Sequence, residues 1–225
     1  MRVLSIIPAR SGSKGIPNKN ILKINNKHLI GHTIELSLKN KQIDHTLVST
    51  DSSKIKKISE RYGVKIPFLR PKKLSHDTSN VYDAVIYSLN KFEKISNLKF
   101  DIILILQPTS PLRKNIDIKN SIKLLSSNDY DSVISVTQYN GISPYIMYKS
   151  VKKGIELLEN NKFYQRQQYK KIFYRNGLIY AIKRNTLLKK KSLYGKNIGF
   201  IVTPERRSIN LDNMSDLKII KNYYK

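Results

Sequence analysis

The chain has 225 residues, enough for one α/β domain with an elaboration, and its 40% hydrophobic and 26% charged residues are the balance of a globular protein. It contains no cysteine, which excludes disulfides, thiolate nucleophiles, Cys-ligated zinc and iron–sulfur clusters and fits a reducing cytoplasm. The 42 Lys and Arg against 16 Asp and Glu give a formal charge of +26, which raises nucleic acid as a partner, but the lysines are scattered over helix faces and read as solvated surface, so no nucleic-acid partner is expected.

In chain order, Val3–Pro8 is a β-branched-rich run that reads as a buried strand, too short an apolar stretch for a signal peptide. Residues 9–20 form a loop by composition. Residues 29–38 read as a helix and 46–50 as a second strand. Residues 52–62 predict a helix with Ile55, Ile58 and Tyr62 on one face and Ser52 or Ser53 as its cap. Residues 64–69 read as a short strand. From Asn80, the recurrence of Val81, Ala84, Val85, Leu89 and Phe92 at helical spacing predicts an amphipathic helix.

Residues 102–106 are apolar on both parities, as in a central parallel strand covered on both faces. They fall far short of the roughly 20 residues that span a bilayer, so no membrane is expected and the protein is placed in the cytoplasm. A helix at 116–125 and a strand at 132–137 continue the alternation. The reading is an α/β fold, a doubly wound and mostly parallel sheet with ligands at the strands' carboxyl ends. Residues 138–175 break that rhythm. They read as a small inserted subdomain, with a hairpin around Lys152, Lys153 and Gly154, inside a single domain of residues 1–225. Strands at 178–182 and 198–203 and a helix at 214–224 close the chain.

The chemistry gathers in the first loop, where Arg10, Lys14 and Lys19 surround Gly12, Gly15 and Pro17 just after a strand. Glycines let backbone amides approach an anion closely, and the cations neutralise charge developing on a displaced pyrophosphate. The loop is built like a triphosphate grip. It is neither a Walker loop nor a dinucleotide fingerprint, because both glycine spacings are missing. His28 and His32 are spaced i, i+4 but lack the zincin pattern, and there is no Ser-His-Asp arrangement.

Residues 7–20, reading IPARSGSKGIPNKN, closely resemble the opening signature of the acylneuraminate (CMP-sialic acid) cytidylyltransferases, which have a nucleotide-diphospho-sugar transferase-like fold. Further blocks fall in that family's order: VSTD at 48–51, LRP at 69–71, DT at 77–78, LQPTSPLR at 106–113, RQ at 166–167, NGLIY at 176–180 and INLD at 209–212. The resemblance implies transfer of CMP from CTP to an acidic nine-carbon sugar for surface glycan synthesis. It implies that Arg10, Lys14 and Lys19 face the CTP phosphates, while Asn20 and Arg70 hold the nucleoside. It puts Asp77 near the cytidine, where a loop aspartate could equally cap the helix after Asn80. Gln107 would reach the sugar, its alternative being a turn with a solvated amide. Arg166, Gln167, Asn176 and Tyr180 would line the sugar pocket, with an arginine fork suited to the sugar carboxylate and core packing the alternative for Tyr180. Residues 138–175 match the family's dimerisation segment, so a homodimer is implied.

The sequence departs from the family pattern at two places. The usual Asp-x-Asp magnesium site reads Asn210-Leu211-Asp212, so Asp212 becomes the principal ligand for Mg2+, or for Mn2+, with the single neutral oxygen of Asn210 a weaker second one. The alternative for Asp212 is to cap the last helix. Where the family has Arg-Pro before Asn-Gly, this chain has Tyr174-Arg175, which bears on sugar specificity, and Leu193-Tyr194 falls near the family's pocket for the acyl substituent. The rivals are an eight-carbon 3-deoxy-manno-octulosonate cytidylyltransferase and a nonenzymatic polyanion-binding protein.

Overall fold

A computed structural model describes residues 1–12, 15–127, 129–139, 144–159 and 170–224. The elements are β1 (Val3–Pro8), a small hairpin of β2 (Lys23–Ile24) and β3 (Lys27–His28), α1 (Leu29–Leu38), β4 (His45–Ser49), α2 (Ser53–Glu60), α3 (Val81–Ser96), β5 (Ile102–Ile105) and α4 (Asn115–Ser127). They continue with β6 (Ser132–Tyr139), a hairpin of β7 (Tyr148–Val151) and β8 (Gly154–Leu157), β9 (Ile172–Lys183), α5 (Arg184–Lys190), β10 (Ile198–Val202) and α6 (Met214–Asn222).

Six strands form one sheet in the order β10-β6-β9-β5-β1-β4. Strand β1 pairs in parallel with β4 and β5, and β10 with β6. Both parities of β1 are apolar because each faces a separate layer. Val3 and Ile7 meet Ile30 and Ile34 of α1, Ile55 of α2 and Ile122 of α4, whereas Leu4 and Ile6 meet Val85 and Leu89 of α3 and Leu187 of α5. Each Leu or Ile so buried contributes roughly 1.5–3 kcal/mol. A third cluster of Ile16, Ile24, Leu29, Leu211, Leu217 and Ile220 binds the loop after β1 to α6, and so carries distant segments to one end of the sheet.

The structure differs from the sequence reading in several elements. Strand β5 is central but not flanked by parallel partners on both sides, since β9 runs antiparallel to both β5 and β6. Residues 64–69 alternate between buried and exposed as a strand would, with Val64 and Ile66 in the core, yet they form no strand. Pro67 removes a donor, and the hydrogen bond linking the next residue to the end of β4 is Arg70 N to Thr50 O, 2.7 Å. Strand β9 is much longer than residues 178–182, and α5 and the β2–β3 hairpin are additional elements. Tyr139 pairs with Ile172, so the two ends of the 138–175 segment extend the main sheet, while β7 and β8 form a separate two-stranded sheet.

Candidate active site

A cleft of about 460 Å³ opens at the carboxyl ends of β1 and β5, lined by Pro8, Arg10, Gly15, Lys19, Asn20, Arg70, Leu74, His76, Asp77, Ser79, Gln107, Thr109 and Asp212, with Val81 and Ala84 of α3. That size is in the range that encloses a small ligand. Its lining comes from segments some 200 residues apart in sequence, and local bonding explains how each is held.

After β1, Ala9 N donates to Ser49 O at 2.9 Å, continuing the sheet by one step. The chain then turns because the Ser11 amide and hydroxyl both donate to Asp51, at 2.9 and 2.6 Å. Burial opposes ionisation of Asp51, but those two bonds and the Arg70 charge outweigh it and hold the pKa below the ordinary carboxylate value. Asn20 is buried and donates to Arg10 O at 3.0 Å, which ties the loop's far end to its start. A Cβ on Gly15 would lie 2.3 Å from the Asp212 carbonyl oxygen, so only glycine permits this approach.

Charges meet across the cleft. The Arg10 guanidinium is bonded to the Asp77 carboxylate, and Lys19 Nζ lies 3.0 Å from Asp212 Oδ1. Arg70 is buried, with Nε donating to Ser75 Oγ at 3.0 Å and Nη1 to Ser49 Oγ at 3.1 Å, and burial lowers its pKa. Neither aspartate in this group caps a helix. Asn80 caps α3 by accepting from Tyr82 N at 2.9 Å, and Asn213 caps α6 by accepting from Ser215 N and Asp216 N at 2.8 and 3.0 Å. The Asp212 side chain is thus left 71% exposed in the cleft. Lys14, Arg166 and Gln167 lie outside the described residues.

The other expected site residues divide. Gln107 lines the cleft, and its backbone carbonyl accepts from the buried Arg113 at 2.8 Å. Arg113 also donates to Leu178 O at 2.5 Å, so one guanidinium ties the end of β5 to β9; burial pushes its pKa down to about 9. Between them Gly177 has φ +76°, and a Cβ there would sit 3.3 Å from Asn210 and 3.4 Å from Gln107.

The Asn176 side chain does not face the cleft. It is buried in a hydroxyl network, accepting from Ser135 at 2.6 Å and donating to Thr137 at 2.8 Å and Thr203 at 2.6 Å. Asn210 is likewise a bracket, accepting from Ser110 Oγ and donating to Asn176 O at 2.8 Å. Tyr180 is buried in the layer beneath α3, and burial pushes its hydroxyl pKa up to about 12. Asp51 and Arg113 were missed as site residues although both stand inside recognisable blocks. Asp51 could have been found, since it follows the end of β4 as Arg10 follows β1.

Among the described residues no group of three or more His, Cys, Asp or Glu gathers to hold a metal. Magnesium typically takes one or two carboxylates, water and substrate phosphates. The exposed Asp212 carboxylate beside the cationic loop fits that sparse donor set, whereas the bonded Asn210 side chain does not present itself as a second ligand.

A parallel-rich α/β sheet with a basic loop and a carboxylate at the strands' carboxyl ends is an arrangement suited to a nucleotidyltransferase, and the family match shows that class. Residues 4–219 match the family model described as Cytidylyltransferase, and the chain belongs to the acylneuraminate cytidylyltransferase family. It is 35% identical over 199 residues to the CMP-N,N'-diacetyllegionaminic acid synthase of Legionella pneumophila, covering 87% of this chain and 84% of that one. It is 33% identical over 221 residues to the N-acylneuraminate cytidylyltransferase of Streptococcus agalactiae, covering 96% of this chain and 52% of that one, so it spans about half that relative's length. Its fold is similar to the structure of CMP:2-keto-3-deoxy-manno-octonic acid synthetase complexed with CTP, with TM-score 0.74, 17% identity and 100% and 98% of the two chains covered. No helix among the described residues is long and apolar enough to cross a membrane.

Proposed function

We propose that the enzyme transfers CMP from CTP to a nine-carbon 3-deoxy-2-ulosonic acid, releasing pyrophosphate. The observation that carries this reading is the single cleft in which Arg10, Lys19, Asn20, Arg70, Gln107 and Asp212 meet. The anomeric hydroxyl attacks the α-phosphorus in line; the new O–P bond forms as the bridging bond to the β-phosphate breaks, its electron pair leaving on pyrophosphate, and the hydroxyl proton passes to solvent water. Arg10 and Lys19, with Lys14, bind the phosphates and neutralise the charge that accumulates on the leaving pyrophosphate. Asn20 and Arg70 hold the nucleoside, and Asp77 orients Arg10 across the cleft. Gln107, held at its backbone by Arg113, positions the sugar.

Asp212 would hold Mg2+, which when bound supplies Lewis-acid polarisation of the phosphate and acidifies the attacking hydroxyl. Asn176 acts indirectly, by fixing the strand that carries Gly177. The enzyme works in the cytoplasm as a homodimer.

The test is pyrophosphate release from CTP with magnesium, using a panel of nonulosonic acids and the eight-carbon acid, for the wild type and Asp212→Ala. The expected result is turnover of a nine-carbon acid that the variant loses. Preference for the eight-carbon acid would replace the substrate assignment. No turnover with any acid by folded protein would end the enzymatic reading of this cleft.

A further inference from the structure

Arg10 and Arg70 both line the cleft, yet they stand on separate loops, and Ser49, Thr50 and Asp51 at the end of β4 hold both. Ser49 O accepts Ala9 N at 2.9 Å, while Asp51 accepts the Ser11 amide at 2.9 Å and the Ser11 hydroxyl at 2.6 Å, so Arg10 is bracketed by bonds on either side. Thr50 O accepts Arg70 N at 2.7 Å, and Ser49 Oγ accepts Arg70 Nη1 at 3.1 Å. This support is itself anchored: the buried hydroxyls of Ser49 and Ser88 lie 2.6 Å apart, and Ser88, on α3, donates to Ala84 O at 2.7 Å.

The bonds to Ala9 N and Arg70 N are made by backbone carbonyls, which any residue supplies, but the bracket at Ser11 needs a side chain with two acceptor oxygens. Ser11 is exposed, and among the described residues nothing lies within 4 Å of where a Cβ on Gly12 would stand. Packing therefore lends this stretch little support, and Asp51 holds it. Asp51 is outside the cleft lining, so it acts on a ligand only through what it holds. Its charge works the other way: the carboxylate is ionised at neutral pH, and by Coulomb's law it repels a polyphosphate. Electrostatics alone thus says that nucleotide binds more tightly once Asp51 is removed, whereas the bracket says that it binds less tightly.

We propose that Asp51 is a positioning residue for the nucleotide: by holding Ser11 it aims Arg10 at the β- and γ-phosphates while Arg70, fixed by the adjoining residues, stays on the nucleoside, and it thereby sets the preference for CTP over CMP. This rests on the cytidylyltransfer reading.

Calorimetry measures the Kd of CTP and of CMP, with magnesium and without acceptor, for the wild type, Asp51→Ala, Asp51→Asn, Ser11→Ala, Arg10→Ala and the Asp51→Ala, Arg10→Ala double variant, with the folded fraction from circular dichroism. Asp51→Ala is expected to raise the CTP Kd about 10-fold, the low end for losing hydrogen bonds to a charged group, and to leave the CMP Kd within about 2-fold. Asp51→Asn can still accept from the Ser11 amide and donate to its hydroxyl, so it should return the CTP Kd to within about 3-fold of wild type. In the Arg10→Ala background Asp51→Ala should add less than about 2-fold, because its effect passes through that guanidinium. A CTP Kd that falls or holds in Asp51→Ala, an equal rise for CTP and CMP, no rescue by Asp51→Asn, or a full penalty without Arg10 would overturn the assignment. If Asp51→Ala does not fold, Ser11→Ala decides: it removes one of the two bonds and should raise the CTP Kd about 3-fold with CMP unchanged, and no rise overturns the assignment. Wild type that binds neither nucleotide overturns the cytidylyltransfer reading and this one together, whereas wild type that binds CTP as tightly as its Asp51→Ala and Ser11→Ala variants do overturns this one alone.

Discussion

Replacing Gly15 with alanine tests whether the basic loop acts by its placement against Asp212. The added Cβ would lie 2.3 Å from the Asp212 carbonyl oxygen, against an ordinary contact of about 3.5 Å. Both sides are backbone, so the loop and the Asp212 segment must part by about 1 Å, a misplacement that can cost on the order of 100-fold in rate. The expected result is a fall of about that size in kcat/KM together with a destabilisation of about 1–3 kcal/mol, because Ile16 and Leu211 beside the clash share one buried cluster; a loss of that size leaves most of the protein folded, so the rate falls by far more than the folded fraction does. Gly31→Ala is the comparison. Its Cβ would meet the Tyr62 ring at 2.4 Å, and that ring is held through its hydroxyl, which accepts from His28 N at 3.0 Å and lies in hydrogen-bond contact with His28 Nδ1 at 2.9 Å. Overpacking there should cost about 1–3 kcal/mol while the folded protein keeps its kcat/KM. Pyrophosphate release and thermal denaturation measure both. The reasoning is refuted if Gly15→Ala keeps kcat/KM within about 3-fold, or loses activity only in proportion to unfolded protein.

Asn210→Asp cannot donate to Asn176 O, now 2.8 Å away; it should destabilise by about 1–3 kcal/mol and leave the half-saturating magnesium concentration unchanged, and a marked drop in that concentration would make position 210 a metal ligand. Asn176→Ala removes the amide that Ser135, Thr137 and Thr203 share, while Ser135 keeps Ile179 N and both threonines keep Ser208, so it should cost about 1–3 kcal/mol in urea denaturation. Glu93, 3% exposed, accepts both Arg184 bonds at 2.8 Å; removing it as Glu93→Ala should cost about 3 kcal/mol at neutral pH. Burial opposes ionisation of Glu93, but the bonds from Arg184, Lys99 and Phe100 N prevail and its pKa lies below the ordinary value. A depressed folded pKa means that this stabilisation is complete above the unfolded value of about 4.3 and is lost as pH falls through the folded one. The stability gap between wild type and variant should therefore narrow on acidification below about pH 4, and a constant gap would refute the ionic account.

Much of the fold is legible because its signals are local. The two-sided apolar runs of β1 and β5 follow from burial of both faces, and α1 and α3 show helical periodicity. The basic loop is legible too, since Arg10, Gly15, Lys19 and Asn20 follow a strand within a few residues of one another. Residues 64–69 show the limit: their alternation reports burial correctly, but a strand also needs a neighbouring ladder, which no local pattern contains.

Local spacings in the sequence carry most of the main-sheet strands and long helices, the doubly wound class and the cationic loop. Long-range packing settles that β9 enters antiparallel, that Asn80 and Asn213 do the capping and leave Asp77 and Asp212 in the cleft, and that Asn210 and Asn176 are spent on internal bonds. These outcomes depend on partners such as Lys19 and Asp212, 193 positions apart. Which of several capable side chains receives a given bond is settled by where packing brings the chain, not by the residue's own chemistry.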